Sequence, residues 1–195
     1  MFKHALARLT CVAALAVAPL AAVTSAQAAT PTFAHTAVSL GNPTAAASSP
    51  SYPIINEADG LCLDANDQGA SAGQNGDKVQ LWTCDGTTNQ SWIPCNYEES
   101  GAYETVLANS DYPTMCLNAT DVSGLKEGSA VQLWNCNVDT ANEYWDFGDW
   151  ISTAGATELH LDSGNFVLDA TSQHLGNGDQ VQIWSPLGGT NQLWY

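Results

Sequence analysis

Three nearly identical six-residue stretches divide the sequence into units of similar length. They are VQLWTC from Val79, VQLWNC from Val131 and VQIWSP from Val181. Their tryptophans are 52 and 50 residues apart, a period that is typical of symmetric repeat architectures. Other segments repeat in register with them: GLCLDA, TMCLNA and NFVLDA come before, and TNQSW, ANEYW and TNQLW come after. The sequence therefore predicts three equivalent structural units.

Each unit is predicted to consist of short β-strands joined by turns. After residue 52 no useful helical periodicity persists, because Gly, Asn, Asp and Ser interrupt the apolar pattern every few residues. Many short strands with evenly spaced turn signals favour an all-β sandwich or barrel. Three equal units add threefold pseudosymmetry to that prediction.

Strand alternation predicts which side chains face outward. In VQLW the two aliphatic residues share one face, while Gln80 and Trp82 share the other. The aliphatic face should pack in the core, so Gln80 and Trp82 are expected on the outer, polar face. The same alternation in CLDA places Cys62 and Asp64 outward. Each unit is thus predicted to present an indole and an acid or amide on its outer surface.

An indole beside a carboxylate suits a sugar. The C–H face of the sugar can stack on the ring, and its hydroxyls can donate to the charged acceptor. One such tryptophan would be explained more simply as a packing residue. Three tryptophans in register with Asp64, Asn118 and Asp169 favour carbohydrate binding instead.

The ordered pattern of an Asp, the aromatic strand and a closing QxW resembles the ricin B-type lectins. These are the QxW-repeat β-trefoils, which also occur as carbohydrate-binding modules on bacterial xylanases. The resemblance covers about residues 55–195. It implies an all-β fold, a β-trefoil of three pseudosymmetric repeats with twelve strands and one shallow sugar site per repeat. It also implies that the tryptophans ending the QxW motifs lie in the core, namely Trp92, Trp145 and Trp194.

The family's sugar-site pattern is complete in the first and third repeats. The implied carbohydrate-binding residues are Asp64, Gln80, Trp82, Asn89 and Gln90, and in the third repeat Asp169, Gln182, Trp184, Asn191 and Gln192. The aspartates would accept sugar hydroxyls, the tryptophans would stack, and the asparagines would both donate and accept. The QxW glutamines would hold the acid or the loop in place.

The second repeat departs from this pattern. Asn118 stands where the others have an acid, and Glu143 replaces the QxW glutamine. Trp134, Gln132 and Asn142 still fit. Because the charged acceptor is missing, we expect the second repeat not to bind sugar.

Five cysteines follow residue 28, and a secreted context would permit disulfides. Recurring outer-face placement in two repeats predicts the pairs Cys62–Cys84 and Cys116–Cys136. The third repeat has Val167 and Pro186 at these positions and no bridge. Cys95 has no matching cysteine, so it is interpreted as a buried free thiol or an intermolecular link, the first being preferred. No CxxC pair is present, and neither a metal nor a cofactor is expected.

The amino-terminal region is interpreted as a targeting segment. Residues 1–28 combine Lys3 and Arg8 with an apolar stretch and a closing Ala-Gln-Ala, which is typical of a secretory signal peptide. A membrane anchor is the alternative, which the short apolar length disfavours. Residues 29–51 are rich in Ala, Ser, Thr and Pro and are expected to be a flexible linker. The lectin domain would then span 52–195 of a secreted, extracellular protein.

Charge excludes several classes of partner. The net charge is −16, with 20 acidic residues against four basic ones, of which only Lys78 and Lys126 follow the signal-like segment. Nucleic acids and anionic membranes require a basic surface, so neither is expected as a partner. Carbohydrate, as a polysaccharide or glycan, is the expected partner of a monomeric protein.

The sequence therefore predicts a secreted lectin without enzymatic activity, which binds galactose- or xylose/arabinose-type saccharides. The alternative is a β-trefoil protein-interaction module such as a protease inhibitor. An enzyme is disfavoured because no GxSxG motif occurs. Glycoside hydrolysis needs two opposed carboxylates, whereas the matched acids occur singly, one per repeat.

Overall fold

The computed structural model describes residues 9–11, 50–69, 72–99, 102–136, 141–146, 155–171 and 176–195. The predicted signal peptide and linker lie almost wholly outside these residues. In the described part, three short 3₁₀ helices accompany the strands, at Thr88–Gln90, Ala141–Glu143 and Thr190–Gln192. The strands are β1 Leu9–Cys11, β2 Tyr52–Pro53, β3 Cys62–Ala65, β4 Val79–Trp82, β5 Ser91–Glu99, β6 Ala102–Asn109, β7 Met115–Ala119, β8 Val131–Asn135, β9 Trp145–Asp146, β10 His160–Leu161, β11 Phe166–Ala170 and β12 Val181–Trp184.

One antiparallel hairpin recurs in every repeat. It is formed by β3 with β4, by β7 with β8, and by β11 with β12. The register is the same each time, with the acid or amide of the first strand opposite the glutamine of the second: Asp64 faces Gln80, Asn118 faces Gln132, and Asp169 faces Gln182. The predicted three equivalent units are therefore confirmed at the level of strand pairing.

The three hairpins close into a ring through their connecting turns. A glycine N–H of each turn donates to a carbonyl in the second hairpin strand of the next repeat. Gly76 donates to the Leu133 carbonyl (2.9 Å), Gly128 to the Ile183 carbonyl (3.0 Å) and Gly178 to the Leu81 carbonyl (2.9 Å). The third repeat thus returns to the first. All three glycines have positive φ, between 83° and 92°, a conformation that side chains with a Cβ rarely adopt. In the described residues no helix is long and apolar enough to cross a membrane.

The tryptophans that end the QxW motifs lie in the core, as predicted. They are at most 1% exposed. Each indole N–H donates to a leucine carbonyl of its own repeat: Trp92 to Leu63 (3.0 Å), Trp145 to Leu117 (3.0 Å) and Trp194 to Leu168 (3.1 Å). A buried indole N–H needs such a partner. The aromatic residue therefore supplies both apolar packing and a polar anchor for the hairpin strand.

The prediction that Cys62, Asp64 and Gln80 face solvent is wrong. The alternation itself is correct, because Val79 and Leu81 are fully buried on the inner face. However, Cys62, Asp64 and Gln80 are each at most 5% exposed. The 3₁₀ segment Thr88–Gln90 covers this second face and donates hydrogen bonds to it. Strand alternation cannot predict that a segment from another part of the repeat covers the outer face of the strand.

Both predicted disulfides are present. The Cα atoms are 5.1 Å apart in Cys62–Cys84 and 4.9 Å apart in Cys116–Cys136. For a chain that keeps residues 1–28, the prediction of a free Cys95 thiol is wrong, because the buried Cys95 is disulfide-bonded and the described part of the chain has no free cysteine. Strand β1, from within the predicted signal peptide, pairs with β5 and sets Cys11 opposite Cys95. The repeats contain no equivalent of Cys95, so the repeat pattern could not predict its pairing.

One side-chain amide connects all three repeats. Gln180 Nε2 donates to the carbonyls of Val79 (3.0 Å), Val131 (2.8 Å) and Val181 (2.8 Å), which begin the second hairpin strand of each repeat. The first and second repeats have Lys78 and Ala130 at the same position, as the strand bridges show. Only the third repeat thus offers an amide at this junction.

Replacing Gln180 with alanine is expected to lower the free energy of unfolding by about 1–2 kcal/mol, because a part-buried donor to three carbonyls is lost. That corresponds to a fall in melting temperature of roughly 2–8 °C for a domain of this size. Thermal and urea unfolding would measure it. Gln68→Ala is the matched control, since the exposed Gln68 amide donates to the adjacent Asp67 carboxylate. Equal melting temperatures for both variants would contradict the role of Gln180.

Candidate functional site

In the first repeat, three amides converge on one carboxylate. Asp64 Oδ1 accepts from Gln80 Nε2 (3.0 Å), and Oδ2 accepts from Asn89 Nδ2 (2.9 Å) and Gln90 Nε2 (3.1 Å). Gln80 comes from the paired strand β4, and the other two come from the covering 3₁₀ segment. The carboxylate is therefore held in one orientation by segments up to 26 residues away.

The third repeat reproduces this arrangement. Asp169 Oδ1 accepts from Gln182 Nε2 (2.8 Å), and Oδ2 accepts from Asn191 Nδ2 and Gln192 Nε2 (both 2.9 Å). Asp169 is as buried as Asp64, each being 4% exposed. In both repeats Oδ1 has one amide donor, whereas an ionised carboxylate oxygen can accept about two hydrogen bonds. Each site thus retains acceptor capacity at Oδ1.

The asparagines differ from expectation. Both were predicted to donate to and accept from a ligand. Asn89 Nδ2 instead donates to Asp64 and to the Ala65 carbonyl, and Asn191 Nδ2 donates to Asp169 and to the Ala170 carbonyl. Their donor capacity is therefore used inside the protein, which leaves only the amide oxygen for a ligand.

The QxW glutamines brace the site, as predicted. Gln90 Nε2 also donates to the Thr83 carbonyl (3.1 Å), and its Oε1 accepts the Asp85 N–H (3.0 Å). In the third repeat, Gln192 makes the same contacts with the Ser185 carbonyl (3.0 Å) and the Leu187 N–H (2.7 Å). Both glutamines are almost fully buried. They are positioning residues that fix the acid and the loop beside it.

Trp82 and Trp184 are half-buried, each against a glycine of the neighbouring repeat. A Cβ added at Gly178 would lie 3.9 Å from the Trp82 ring, and one at Gly128 would lie 3.7 Å from the Trp184 ring. The equivalent Gly76 has no such neighbour, and Trp134 in the second repeat is the more exposed ring, at 39%. The indoles of the first and third repeats thus pack against a hairpin turn of the neighbouring repeat, and part of each ring remains exposed to solvent.

The second repeat keeps the hydrogen-bonded network but exchanges its ends. Gln132 Nε2 donates to Asn118 Oδ1 (3.0 Å), and Asn118 Nδ2 donates to Glu143 Oε1 (3.1 Å). In the other repeats the acid is on the strand and the amide on the 3₁₀ segment, so acid and amide have traded places. Glu143 is fully buried. In the second repeat the carboxylate of the network is therefore on the 3₁₀ segment instead of on the hairpin strand.

One polar atom of the second-repeat network is buried without a partner. Asn142 Nδ2 donates to the Ala119 carbonyl (2.9 Å), which matches the other repeats, but Asn142 Oδ1 is buried without a hydrogen bond among the described residues. Asn118 turns its amide nitrogen toward the 3₁₀ segment, so the asparagine-to-acid bond of the other repeats is not formed here. The second repeat consequently offers a neutral acceptor and a less satisfied network.

Burial raises the pKa of the Asp64 carboxyl above its ordinary value of 3.8, and the amide donors and the nearby Asp67 charge have smaller effects. Burial also raises the pKa of Asp169, against the lowering effect of its three amide donors. In both cases loss of water outweighs the hydrogen bonds to the charged form.

A shallow cleft lies over the first-repeat site. Four of the five predicted first-repeat residues line it, all but the buried Gln90, and so do four others that sequence reasoning missed: Asp67, Gln68, Asp85 and Thr87. These four lie in loops where the repeats differ, so alignment of the repeats could not identify them. In the described part of the chain, no group of three or more His, Cys, Asp or Glu side chains could hold a metal ion.

Comparisons with known proteins agree on one family and one fold. Residues 50–194 match the family model of the ricin-type beta-trefoil lectin domain. No curated protein matches the sequence. The designed threefold-symmetric protein ThreeFoil is similar in structure, with a TM-score of 0.61, 22% identity, and coverage of 74% of this chain and 95% of that one.

Two natural proteins are also similar. The ricin B-like lectin of Macrolepiota procera, solved in complex with lactose, has a TM-score of 0.56 and 17% identity over 74% of this chain and 92% of its own. An exo-beta-1,3-galactanase from Clostridium thermocellum has a TM-score of 0.63 and 24% identity over 74% of this chain, but the match covers only 29% of the enzyme. These likenesses confirm the predicted β-trefoil fold.

Proposed function

The chain belongs to the ricin-type β-trefoil lectin family, and we propose on that basis that its first and third repeats bind galactose- or xylose/arabinose-type saccharides. The observation that carries the proposal is the recurrence of one arrangement in two repeats. In each, a buried aspartate held by three amides stands in a hairpin next to a half-exposed indole.

The arrangement suits a sugar for two reasons. The fixed carboxylate needs no reorganisation to accept a hydroxyl at Oδ1, and a hydrogen bond to a charged acceptor is stronger than one to a neutral acceptor. The indole offers a flat apolar surface for the C–H face of the ring. The lactose complex of the Macrolepiota procera lectin supports a galactose-type ligand for this fold.

We further propose that the protein acts outside the cell as a monomer without enzymatic activity. Support comes from the signal-like residues 1–28 and, for the lack of enzymatic activity, from the match of residues 50–194 to a lectin domain. The match to a galactanase covers only 29% of that enzyme, so it adds no argument for catalysis by this chain.

Polysaccharide pull-down with xylan, galactan and arabinan, together with a glycan array, tests the proposal. Two sites on one rigid body should bind a polymer at least tenfold more tightly than the free monosaccharide, because the second contact is intramolecular. Titration with the polymer and its monomer measures this ratio. If no glycan binds and the protein inhibits a protease, the lectin proposal is wrong and the protein is a protein-interaction module.

Acidification is expected to abolish sugar binding before the fold is lost. The ligand needs ionised aspartates, and the pKa values of Asp64 and Asp169 are raised. The midpoint of the loss should therefore lie above pH 3.8, the ordinary value. Because the folded-state pKa exceeds the unfolded one, these two groups stabilise the folded state further as pH falls. Titration of affinity against pH, with circular dichroism as control, measures both; a midpoint at or below 3.8 would contradict the expectation.

A further inference from the structure

We propose that the first-repeat site selects amine-bearing sugars over neutral ones and rejects uronic acids, whereas the third-repeat site makes this distinction by charge more weakly. This inference rests on the proposed sugar binding and adds the substrate class of one site. It follows from the different rims of two otherwise equivalent sites.

Three carboxylates line the first-repeat cleft, from Asp64, Asp67 and Asp85, and none of its described lining residues is basic. The cleft also contains the Trp82 ring and the spare acceptor capacity of Asp64 Oδ1, so the acids surround a site that other observations already define. Asp67 is close enough to Asp64 for its charge to raise the pKa of the Asp64 carboxyl.

The rim acid Asp85 is held in place and stays ionised. Its Oδ1 accepts from the Thr87 N–H (3.0 Å) and from the Thr87 hydroxyl (2.5 Å). These hydrogen bonds lower the pKa of Asp85 below its ordinary value. At neutral pH the cleft therefore presents three negative charges to its ligand, and a sugar ammonium group would be attracted where a sugar carboxylate would be repelled.

The third repeat has uncharged residues at the sequence positions equivalent to the two rim acids. Leu187 is the counterpart of Asp85, since both donate their backbone N–H to the QxW glutamine. Leu187 is 74% exposed. Ser172, three residues after Asp169, stands in the sequence where the first repeat has Asp67. The third repeat thus keeps the inner carboxylate and has no acid at either of the two equivalent positions.

Simple electrostatics gives the size of the effect. One unit charge about 4 Å from one exposed carboxylate changes affinity about fivefold in water. Compared with the third site, the two rim acids should therefore increase the preference for an amine-bearing sugar over its neutral counterpart by about fivefold or more, and should disfavour a uronic acid by a similar factor. Screening removes the effect in 1 M salt, where the Debye length is about 3 Å.

The test uses two variants of equal net charge. Asp169→Ala retains the first site and Asp64→Ala retains the third, so nonspecific attraction of amines to an acidic protein is the same for both. Each is applied to an array bearing galactose, arabinose, xylose, galactosamine, glucosamine, galacturonate and glucuronate glycans, in 10 mM and in 1 M salt. Asp169→Ala should rank amine-bearing glycans first and uronates last in 10 mM salt only. Asp64→Ala, whose remaining site has one carboxylate instead of three, should show a ranking that is weaker by about fivefold or more.

Adding Asp67→Asn and Asp85→Asn to Asp169→Ala should weaken the ranking to that of Asp64→Ala, whereas adding Asp121→Asn, an exposed acid of the second repeat outside the cleft, should preserve it. Glycan binding by Asp169→Ala without a charge ranking would overturn the inference and leave the lectin function standing. The same ranking in Asp64→Ala would also overturn it. Absence of glycan binding by the unmodified protein would instead defeat the proposed function itself.

Discussion

Replacing both Asp64 and Asp169 with alanine is expected to abolish sugar binding, and each single replacement is expected to remove one site. A hydrogen bond to a charged group contributes about 1.5–3 kcal/mol, while a millimolar site has only about 4 kcal/mol in total. Loss of the carboxylate therefore leaves too little affinity to measure. Isothermal titration with the sugar identified on the array would show two sites, then one, then none.

Two controls separate this loss from unfolding. Removal of Asp64 takes away one hydrogen-bond acceptor from each of the amides of Gln80, Asn89 and Gln90, so every variant needs a circular dichroism melt. Trp134→Ala removes the exposed indole of the second repeat and should leave sugar binding unchanged. If the double aspartate variant still binds and Trp134→Ala then abolishes the binding, the second repeat is an active site and its neutral acceptor is sufficient.

Asn118→Asp alone is expected to destabilise the fold by about 3–5 kcal/mol, which is the usual effect of an uncompensated buried charge. The new carboxylate would stand where Asn118 Nδ2 now donates to the buried Glu143 at 3.1 Å, so two carboxylates would share one interior position. The penalty should shrink as pH falls, because protonation of either carboxyl relieves the repulsion. Urea unfolding at pH 7 and at pH 4.5 measures both effects.

Adding Glu143→Gln to Asn118→Asp should restore most of the lost stability. The pair would then match the other repeats, with the acid on the strand and the amide on the 3₁₀ segment. Glu143→Gln alone should cost about 1 kcal/mol, because its amide oxygen can still accept from Asn118. A double-mutant cycle isolates the coupling between the two positions. A double variant no more stable than Asn118→Asp would show that the exchange is not reciprocal.

The restored pair also predicts a gain of function. In a chain that carries Asp64→Ala and Asp169→Ala, the two substitutions in the second repeat should restore weak sugar binding, because Trp134 is exposed and Gln132 is already placed to hold the acid. Trp134→Ala should then abolish that restored binding. A folded variant without any sugar binding would mean that the second repeat lacks more than its charge.

Periodicity along the chain determined the features that repeat within it. The 52- and 50-residue spacing predicted three equivalent units, and alternation within VQLW correctly predicted that Val79 and Leu81 are buried. Repetition of cysteines at matching positions predicted both disulfides. These inferences succeed because strand alternation depends on residues that are adjacent in the sequence. Repeat symmetry is likewise visible when equivalent residues of the three repeats are aligned.

Only the tertiary structure decided what covers each strand and which way each hydrogen bond runs. Asp64 and Gln80 are buried because the 3₁₀ segment folds over them. In the sequence, Asn118 and Glu143 are two separate departures from the sugar-site pattern. Only the hydrogen bond between them shows that acid and amide have exchanged positions. The acidic rim of the first site and the pairing of Cys95 likewise arise where residues distant in sequence meet. A single sequence encodes no distance between such residues, and burial and hydrogen-bond direction depend on that distance.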